Sequence, residues 1–454
     1  MTGPYQGYVY AYPHKTAYRP LDPRPALGDV WADEDRSALF LYLHVPFCEM
    51  RCGFCNLFTR TGAPEELTGA YLDALDRQAT AVLDALGDIT RTPADGAVSG
   101  ATRFAVAAFG GGTPTYLTAS ELERLCDIAD RFADLRTIPL GVEASPATAT
   151  ADRLAVLAER GATRVSIGVQ SFLEEEARAA VRPQKRADVE AALDRIRAAA
   201  FPTLNIDLIY GIDGQTPETW LHSLDAALAW EPEEMYLYPL YVRPLTGLGR
   251  RARDWDDQRM RLYRVGRDHL LARGYEQVSM RMFRRPGRDG IALGDGYTAT
   301  GGLPAPAGTE YCCQTDGMIG LGCGARSYTT GLHYSFEYAV GASAVRAIID
   351  SYVRETDFTT ARVGFALDED ERRRRHLIQS LLQASGLDRA FYRKRFGADV
   401  TAHFDLEPFA DRGWLEDDPD TLRLTPEGLA HSDTIGPALF SPRVRALMDS
   451  YEAR

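Results

Sequence analysis

From Leu39 onward the sequence alternates short apolar runs with longer helical patterns, and this alternation limits the fold more than any other feature. Leu39 to His44 reads as a strand, and Pro64 to Leu86 as a helix with Leu and Ala spaced at three and four. Further strand patterns run from Arg103 to Phe109, Pro139 to Glu143, Arg164 to Gly168, Thr203 to Leu208 and Glu234 to Tyr238. Between them lie helical patterns from Ser120 to Phe132, Asp152 to Arg160, Ala187 to Ala200 and Pro217 to Trp230. Strands that alternate with helices of this length run parallel and are joined by right-handed crossovers. About six such units point to an α/β fold built as a partial (β/α)6 TIM-like barrel. A doubly wound open sheet has the same periodicity and stays open on this evidence.

Four regions follow: an irregular, Tyr- and Pro-rich arm over 1–38, a barrel over 39–245, a barrel extension over 246–360 and a C-terminal domain over 361–454. The C-terminal region turns to charged helices. Trp414-Leu415-Glu416 and Leu422-Arg423-Leu424 then suggest a β-hairpin wing, and Thr425-Pro426 a helix start. The segment from Arg285 to Gly308 is dense in Gly and Pro and reads as a long loop of the kind compact domains keep for function.

The formal net charge of -13 argues against a general nucleic-acid surface, since phosphate binding needs a basic face. Arg372 to Arg375 reads as a solvated helix face beside Glu369 and Glu371. No window approaches the roughly 18 to 20 apolar residues of a membrane span, and the start lacks the order of a secretory signal. A cytoplasmic protein is expected.

Three of the seven cysteines fall within eight residues, as Cys48-Glu-Met-Arg-Cys52-Gly-Phe-Cys55, directly after a strand pattern. An odd count packed in this way makes a poor disulfide framework. Three thiolates on one loop can each ligate one iron of a cubane and leave the fourth iron open to a ligand. A zinc site completed by a distant Cys or His is the competing reading. Gly110-Gly111-Gly112-Thr113 follows the second strand, where glycines let backbone approach a ligand closely, although a Gly triplet also makes a tight turn. Glu143 ends the third strand, where barrel active sites collect side chains.

The stretch from Tyr42 through Cys55 resembles the cluster loop of radical S-adenosylmethionine (SAM) enzymes, and more narrowly that of the HemN-like proteins, named after oxygen-independent coproporphyrinogen dehydrogenase. The resemblance runs from about residue 40 to 330 and, more weakly, to the end. It implies a [4Fe–4S] cluster on Cys48, Cys52 and Cys55, with SAM bound by Tyr42, Gly111, Gly112, Thr113, Glu143, Gln170, Arg182 and Asp207. Arg182 would pair with a carboxylate, and Asp207 would meet ribose hydroxyls or a second SAM. The segment from Gln314 to Tyr328 resembles the part of the family that binds a second SAM, with Gln314, Ala325 and Arg326 nearest it.

The sequence departs from the family's named enzymes at two places. Leu57 stands where the coproporphyrinogen dehydrogenases carry a fourth cysteine. Glu310 to Gln314 stands where a heme-carrying branch shows His-Asn-x-x-Tyr-Trp. The remaining branch, the class C methyltransferases and cyclopropanases of natural-product pathways, binds two SAM molecules and is the main expectation. In that chemistry one SAM yields a 5′-deoxyadenosyl radical, which takes hydrogen from the methyl of the other. The resulting methylene radical adds to an sp2 carbon of a small-molecule substrate, with Tyr42 and Tyr328 the candidates for handling the last proton and electron. Closure of the Arg285 to Gly308 loop would exclude water and oxygen. An electron donor such as flavodoxin or ferredoxin is implied, and a partner methyltransferase is a further expectation. An oxidative decarboxylase of a propionate-bearing tetrapyrrole and a heme-binding carrier are the alternatives. His333 is a candidate axial ligand for the carrier, although a lone His beside aromatics is more often packed in a core.

Overall fold

The computed structural model describes residues 3–91, 101–242, 246–248, 256–286 and 311–452. Six parallel strands carry it: β1 (Leu39–Val45), β2 (Phe104–Gly111), β3 (Leu140–Ala144), β4 (Arg164–Gln170), β5 (Thr203–Tyr210) and β6 (Glu234–Pro239). They lie side by side in sequence order. A doubly wound sheet reverses direction part-way and places its first strand inside the order. The unbroken order therefore selects the partial barrel. Helices Glu65–Leu86, Ala119–Asp130, Ala151–Glu159, Arg186–Ala198 and Pro217–Leu228 connect the strands, within a few residues of the expected spans. Local chemistry fixes their starts. Thr118 and Glu121 form a reciprocal capping box, and Thr216 caps a helix whose first residue is Pro217.

The sheet extends beyond the six strands on both sides. Next to β1 lies Met318–Leu321, parallel to it, followed by antiparallel Arg326–Tyr328, Leu332–Ser335, Val363–Ala366 and Arg19–Pro20. Beyond β6 lie Met282–Arg284 and Glu276–Gln277. The two ends of this sheet are not paired to each other, so the barrel is open.

The N-terminal segment differs from the irregular arm expected of it. It contributes the sheet strand Arg19–Pro20 and the helix Leu27–Trp31. Val9, Tyr12 and Tyr18 are buried in the core of the C-terminal domain, among Phe365, Leu377 and Leu381. Tyr12 donates to Glu371, and the Gly7 N–H donates to the Asp433 carbonyl. Aromatic side chains replace the periodicity that would have marked these residues as structural.

In the C-terminal domain Leu415–Asp417 and Thr421–Leu424 form the expected hairpin, and Thr425 caps the helix Pro426–Ala430. The run from Arg372 to Arg375 is not one solvated face. Arg373 and Arg374 pair with Glu369 and Asp370, whereas Arg375 is buried and donates to the carbonyls of Cys313 and Gln314. Among the described residues no helix is long and apolar enough to cross a membrane.

Candidate functional site

The cysteine loop leaves β1 and runs against the loop that follows β4. The Gly53 N–H donates to the Ala180 carbonyl at 3.1 Å, and the Cys55 N–H to the Cys52 carbonyl at 3.0 Å. A Cβ at Gly53 would stand 2.7 Å from the Val181 side chain, so only glycine passes here. Each thiol has its own neighbour. Cys48 Sγ lies 3.3 Å from Thr113 Oγ1, Cys52 Sγ accepts from Arg182 Nη1 at 3.0 Å, and Cys55 Sγ lies 3.8 Å from Thr59 Oγ1. Cys48 and Cys52 are buried and Cys55 half-buried.

Among the described residues no three Cys, His, Asp or Glu side chains converge on a single metal ion. A mononuclear zinc site asks its ligands to converge on one ion, whereas a cubane asks each thiolate to reach a different iron, and three thiols with separate neighbours suit the second. Burial pushes the Cys48 thiol up to about 12, and bound iron would reverse that by holding it as a thiolate. The donor set fits a cluster held by Cys48, Cys52 and Cys55.

The Gly-rich turn after β2 is clamped beneath this loop. The Gly112 and Thr113 N–H groups donate to the carbonyls of Val45 and Phe47, and the Gly111 N–H to Glu143 Oε2 at 3.0 Å. These amides serve the protein, contrary to the expectation that they approach a ligand. The glycines are needed for close packing: a Cβ at Gly112 would lie 2.5 Å from the Phe47 carbonyl oxygen, and Gly111 has φ +112°.

Glu143, Asp207 and Tyr42 line one polar cavity in the barrel, together with Arg164, Ser166, Asn205, Tyr236 and Tyr238. About 60 Å3 of free space remains inside it, and the cavity is open on one side. Asn205 and Ser166 donate to the two oxygens of Asp207 at 2.6 and 3.4 Å. Burial pushes Asp207 up to about 6, opposed by Arg164 and these donors. Burial likewise pushes Glu143 up to about 7, opposed by the Gly111 N–H. Glu143 nonetheless keeps accessible surface, so a ligand can reach it and solvent partly screens the burial that raises its carboxyl.

Between about pH 4.5 and 7 the folded chain thus holds a proton at Glu143 that the unfolded chain has released, so this group lowers stability as pH rises through that window. Glu143→Gln keeps an acceptor for Gly111 and removes the charge. Its melting temperature is expected to exceed that of the wild type above about pH 7 and to match it near pH 4.5. Melting curves of the two proteins across that range check this, and an equal difference at every pH would contradict it.

Gln170 sits at an irregularity in the β4–β5 pairing with φ +71°, a conformation uncommon for any residue but glycine. Its Oε1 is buried without a hydrogen-bond partner, an acceptor that suits a bound ligand. Arg182 differs from the carboxylate partner expected of it. Its guanidinium is taken up by Cys52 Sγ, the Gly168 carbonyl at 2.7 Å and Gln184 Oε1 at 3.1 Å, so it ties the cluster loop to β4.

Of the second-SAM candidates, Ala325 is buried, and Gln314 is engaged with Cys312 and Cys313, whose thiols donate to its Oε1. Arg326 lies with its guanidinium carbon 4.5 Å from the centre of the Tyr10 ring. Tyr328 is buried in an apolar cluster with Phe40, Tyr311 and Met318, against which Tyr42 and Tyr10 pack, so the two candidate catalytic tyrosines share one patch. His333 has no exposed surface and packs against Tyr328 with ring centres 4.3 Å apart and the rings tilted by 36°, a core position that no external ligand reaches. The Arg285 to Gly308 loop lies almost wholly outside the described residues.

The reading of the sequence missed Arg164, Ser166, Asn205, Tyr236 and Tyr238, yet a signal for them exists. Arg164, Ser166, Gly168 and Gln170 alternate with Val165, Ile167 and Val169, and Asn205 and Asp207 with Leu204, Ile206 and Leu208. A period of two in a barrel strand separates lumen from outer face.

Residues 42–227 match the model of the radical SAM superfamily, and residues 367–431 that of the HemN C-terminal domain. The oxygen-independent coproporphyrinogen III oxidase of Paracoccus denitrificans is 28% identical over 436 residues, which is 92% of this chain and 90% of that protein. The heme chaperone HemW of Bacillus subtilis is 26% identical over 399 residues, 85% of this chain and 95% of that protein. The fold is similar to that of the coproporphyrinogen III oxidase HemN from Escherichia coli, with a TM-score of 0.73 at 22% identity over 98% of each chain.

Proposed function

We propose that this chain, a HemN-like protein of the radical SAM superfamily, uses SAM to abstract hydrogen from a carboxylate-bearing organic substrate, as an oxidative decarboxylase would. The observation that carries the proposal is three separately supported thiols on a loop clamped by Gly112 and Thr113, whose neighbour Gly111 donates to Glu143 in the polar cavity that also holds Asp207. A [4Fe–4S] cluster on those thiols supplies the electron that cleaves SAM and so provides the radical.

The chain's own residues do the rest. Cys48, Cys52 and Cys55 hold the cluster, and Arg182 anchors the loop through Cys52. Glu143 and the orphan Oε1 of Gln170 offer acceptors for the amino group and hydroxyls of SAM, and Asp207 is held in place by Asn205 and Ser166. Tyr42 lines this cavity, with its hydroxyl 3.3 Å from His44 Nδ1. The relatives named coproporphyrinogen III oxidase support hydrogen abstraction from the substrate itself. The second reading is methyl transfer through a second SAM. That second reading is favoured by one residue, Leu57, exposed where a fourth cysteine would stand. A flavodoxin or ferredoxin is the class of electron donor this chemistry calls for.

The test is anaerobic turnover with dithionite, methyl-deuterated SAM and coproporphyrinogen III. Loss of carbon dioxide from the porphyrinogen with unlabelled 5′-deoxyadenosine supports decarboxylation. Deuterium in the 5′-deoxyadenosine means that a SAM methyl gives up the hydrogen, which overturns the first reading in favour of the second.

A further inference from the structure

The strand Arg326–Tyr328 carries a positive charge that no carboxylate among the described residues pairs with. Arg326 Nη1 is buried and has no hydrogen-bond partner, and Arg326 forms no ion pair among the described residues. The ionisable groups that face it include the phenols of Tyr10, Tyr328, Tyr18, Tyr42 and Tyr338 and the imidazoles of His44 and His333. Its guanidinium carbon lies 4.5 Å from the centre of the Tyr10 ring and 5.6 Å from that of Tyr328. The guanidinium of Arg375 stands over the same Tyr328 ring at 5.9 Å. Arg375 is buried, bound to two carbonyls, and likewise forms no ion pair among the described residues. Asp316 is the carboxylate that faces Arg375, but it accepts from the Cys312 N–H and the Thr315 hydroxyl. Nearby, Lys15 Nζ lies 3.8 Å from the centre of the Tyr338 ring and 5.6 Å from that of Tyr10.

Guanidinium groups enclosed without a counter-charge are costly, and a bound anion with matching geometry removes that cost. A carboxylate meets a guanidinium through two parallel hydrogen bonds, and the phenol O–H groups around it are further donors. The Tyr18 hydroxyl, buried without a partner, is one of them.

The elements around this cradle indicate whose anion it takes. Tyr10, Lys15 and Tyr18 come from the N-terminal segment, and Arg375 from the C-terminal helix Glu369–Leu381. The acceptors suited to SAM (Glu143, Gln170 and Asp207) come from β3, β4 and β5. Tyr42 belongs to both surroundings, lining the Glu143 cavity and facing Arg326. We infer that Arg326, walled by Tyr10, Tyr18 and Tyr328 and backed by Arg375, binds a carboxylate of the substrate and so holds it against the Tyr42 side of the SAM cavity. The inference deepens the proposed function of the same site, and its test is separable from it.

Reconstituted full-length protein is titrated anaerobically with benzoate and, in parallel, with benzamide, its neutral isostere, following the tyrosine absorption band. Benzoate is expected to perturb the band saturably and benzamide not to, a contrast that depends on no variant. Arg326→Gln is expected to weaken benzoate binding about 10-fold or more, the worth of a charge-assisted pair, while binding SAM with unchanged stoichiometry by equilibrium dialysis. Equal responses to benzoate and benzamide, or benzoate binding unaltered in Arg326→Gln, overturn the inference. So does a lost equivalent of SAM in Arg326→Gln, or displacement of benzoate by SAM, since the carboxylate bound would then be the cofactor's. If benzoate binds at Arg326 but the wild type fails to cleave SAM, the reaction reading falls and the anion site stands.

Discussion

Replacing any one of Cys48, Cys52 or Cys55 with alanine is expected to lower bound iron and sulfide sharply and to bring 5′-deoxyadenosine formation down to background. Three thiolates are the fewest that hold a cubane while leaving one iron for SAM, so each loss removes one of the cluster's three protein ligands. The control lies in the same chain. Cys126 and Cys323 are fully buried, Cys126 among Leu122, Leu125 and Ala129, and Cys323 in the main core near Tyr71. Either one replaced by alanine should lose some stability and keep full cluster content. Iron and sulfide analysis of all five variants separates ligands from packing residues, and equal cluster content in every variant would contradict the assignment.

Arg164→Leu is expected to destabilise the apoprotein by about 3–5 kcal/mol, the usual result of stripping one partner from a buried ion pair. Arg164 Nε meets Glu234 Oε2 at 2.7 Å in the barrel lumen, with the side chains 3% and 0% exposed. Without Arg164 a carboxylate stays enclosed, and its second oxygen already lacks a partner. The double variant Arg164→Leu with Glu234→Leu should recover most of the loss, because removing both charges removes the desolvation penalty as well. Denaturant titration of the three proteins completes the cycle. A single variant within about 1 kcal/mol of wild type would show that water reaches Glu234 and that the lumen is less dry than its packing implies.

The sequence was most legible where periodicity is local. Each barrel strand is a short apolar run bounded by a helix pattern, so all six strands and their connecting helices fall within a few residues of their expected places. The cysteine loop was equally plain, because its spacing alone carries the chemistry. Long-range pairing left no such trace. Met318–Leu321 beside β1, and Arg19–Pro20 beside Val363–Ala366, are short strands whose partners lie hundreds of residues away. Composition misled at Arg375, because four consecutive arginines on a helix point in four directions and one of them faces the core. Arg182 showed in its motif, but not its partner, since nothing in the spacing joins it to Cys52 across 130 residues.

The account rests on SAM cleavage at the three-cysteine loop, and the most direct test is 5′-deoxyadenosine itself. Anaerobically reconstituted protein with a full complement of iron and sulfide is incubated with SAM, with and without dithionite, and the nucleoside is followed by mass spectrometry. Formation of 5′-deoxyadenosine and methionine that needs the reductant, and that disappears in Cys52→Ala, is the result predicted. Protein with a complete cluster that releases no 5′-deoxyadenosine would contradict the account and favour a heme-carrying role.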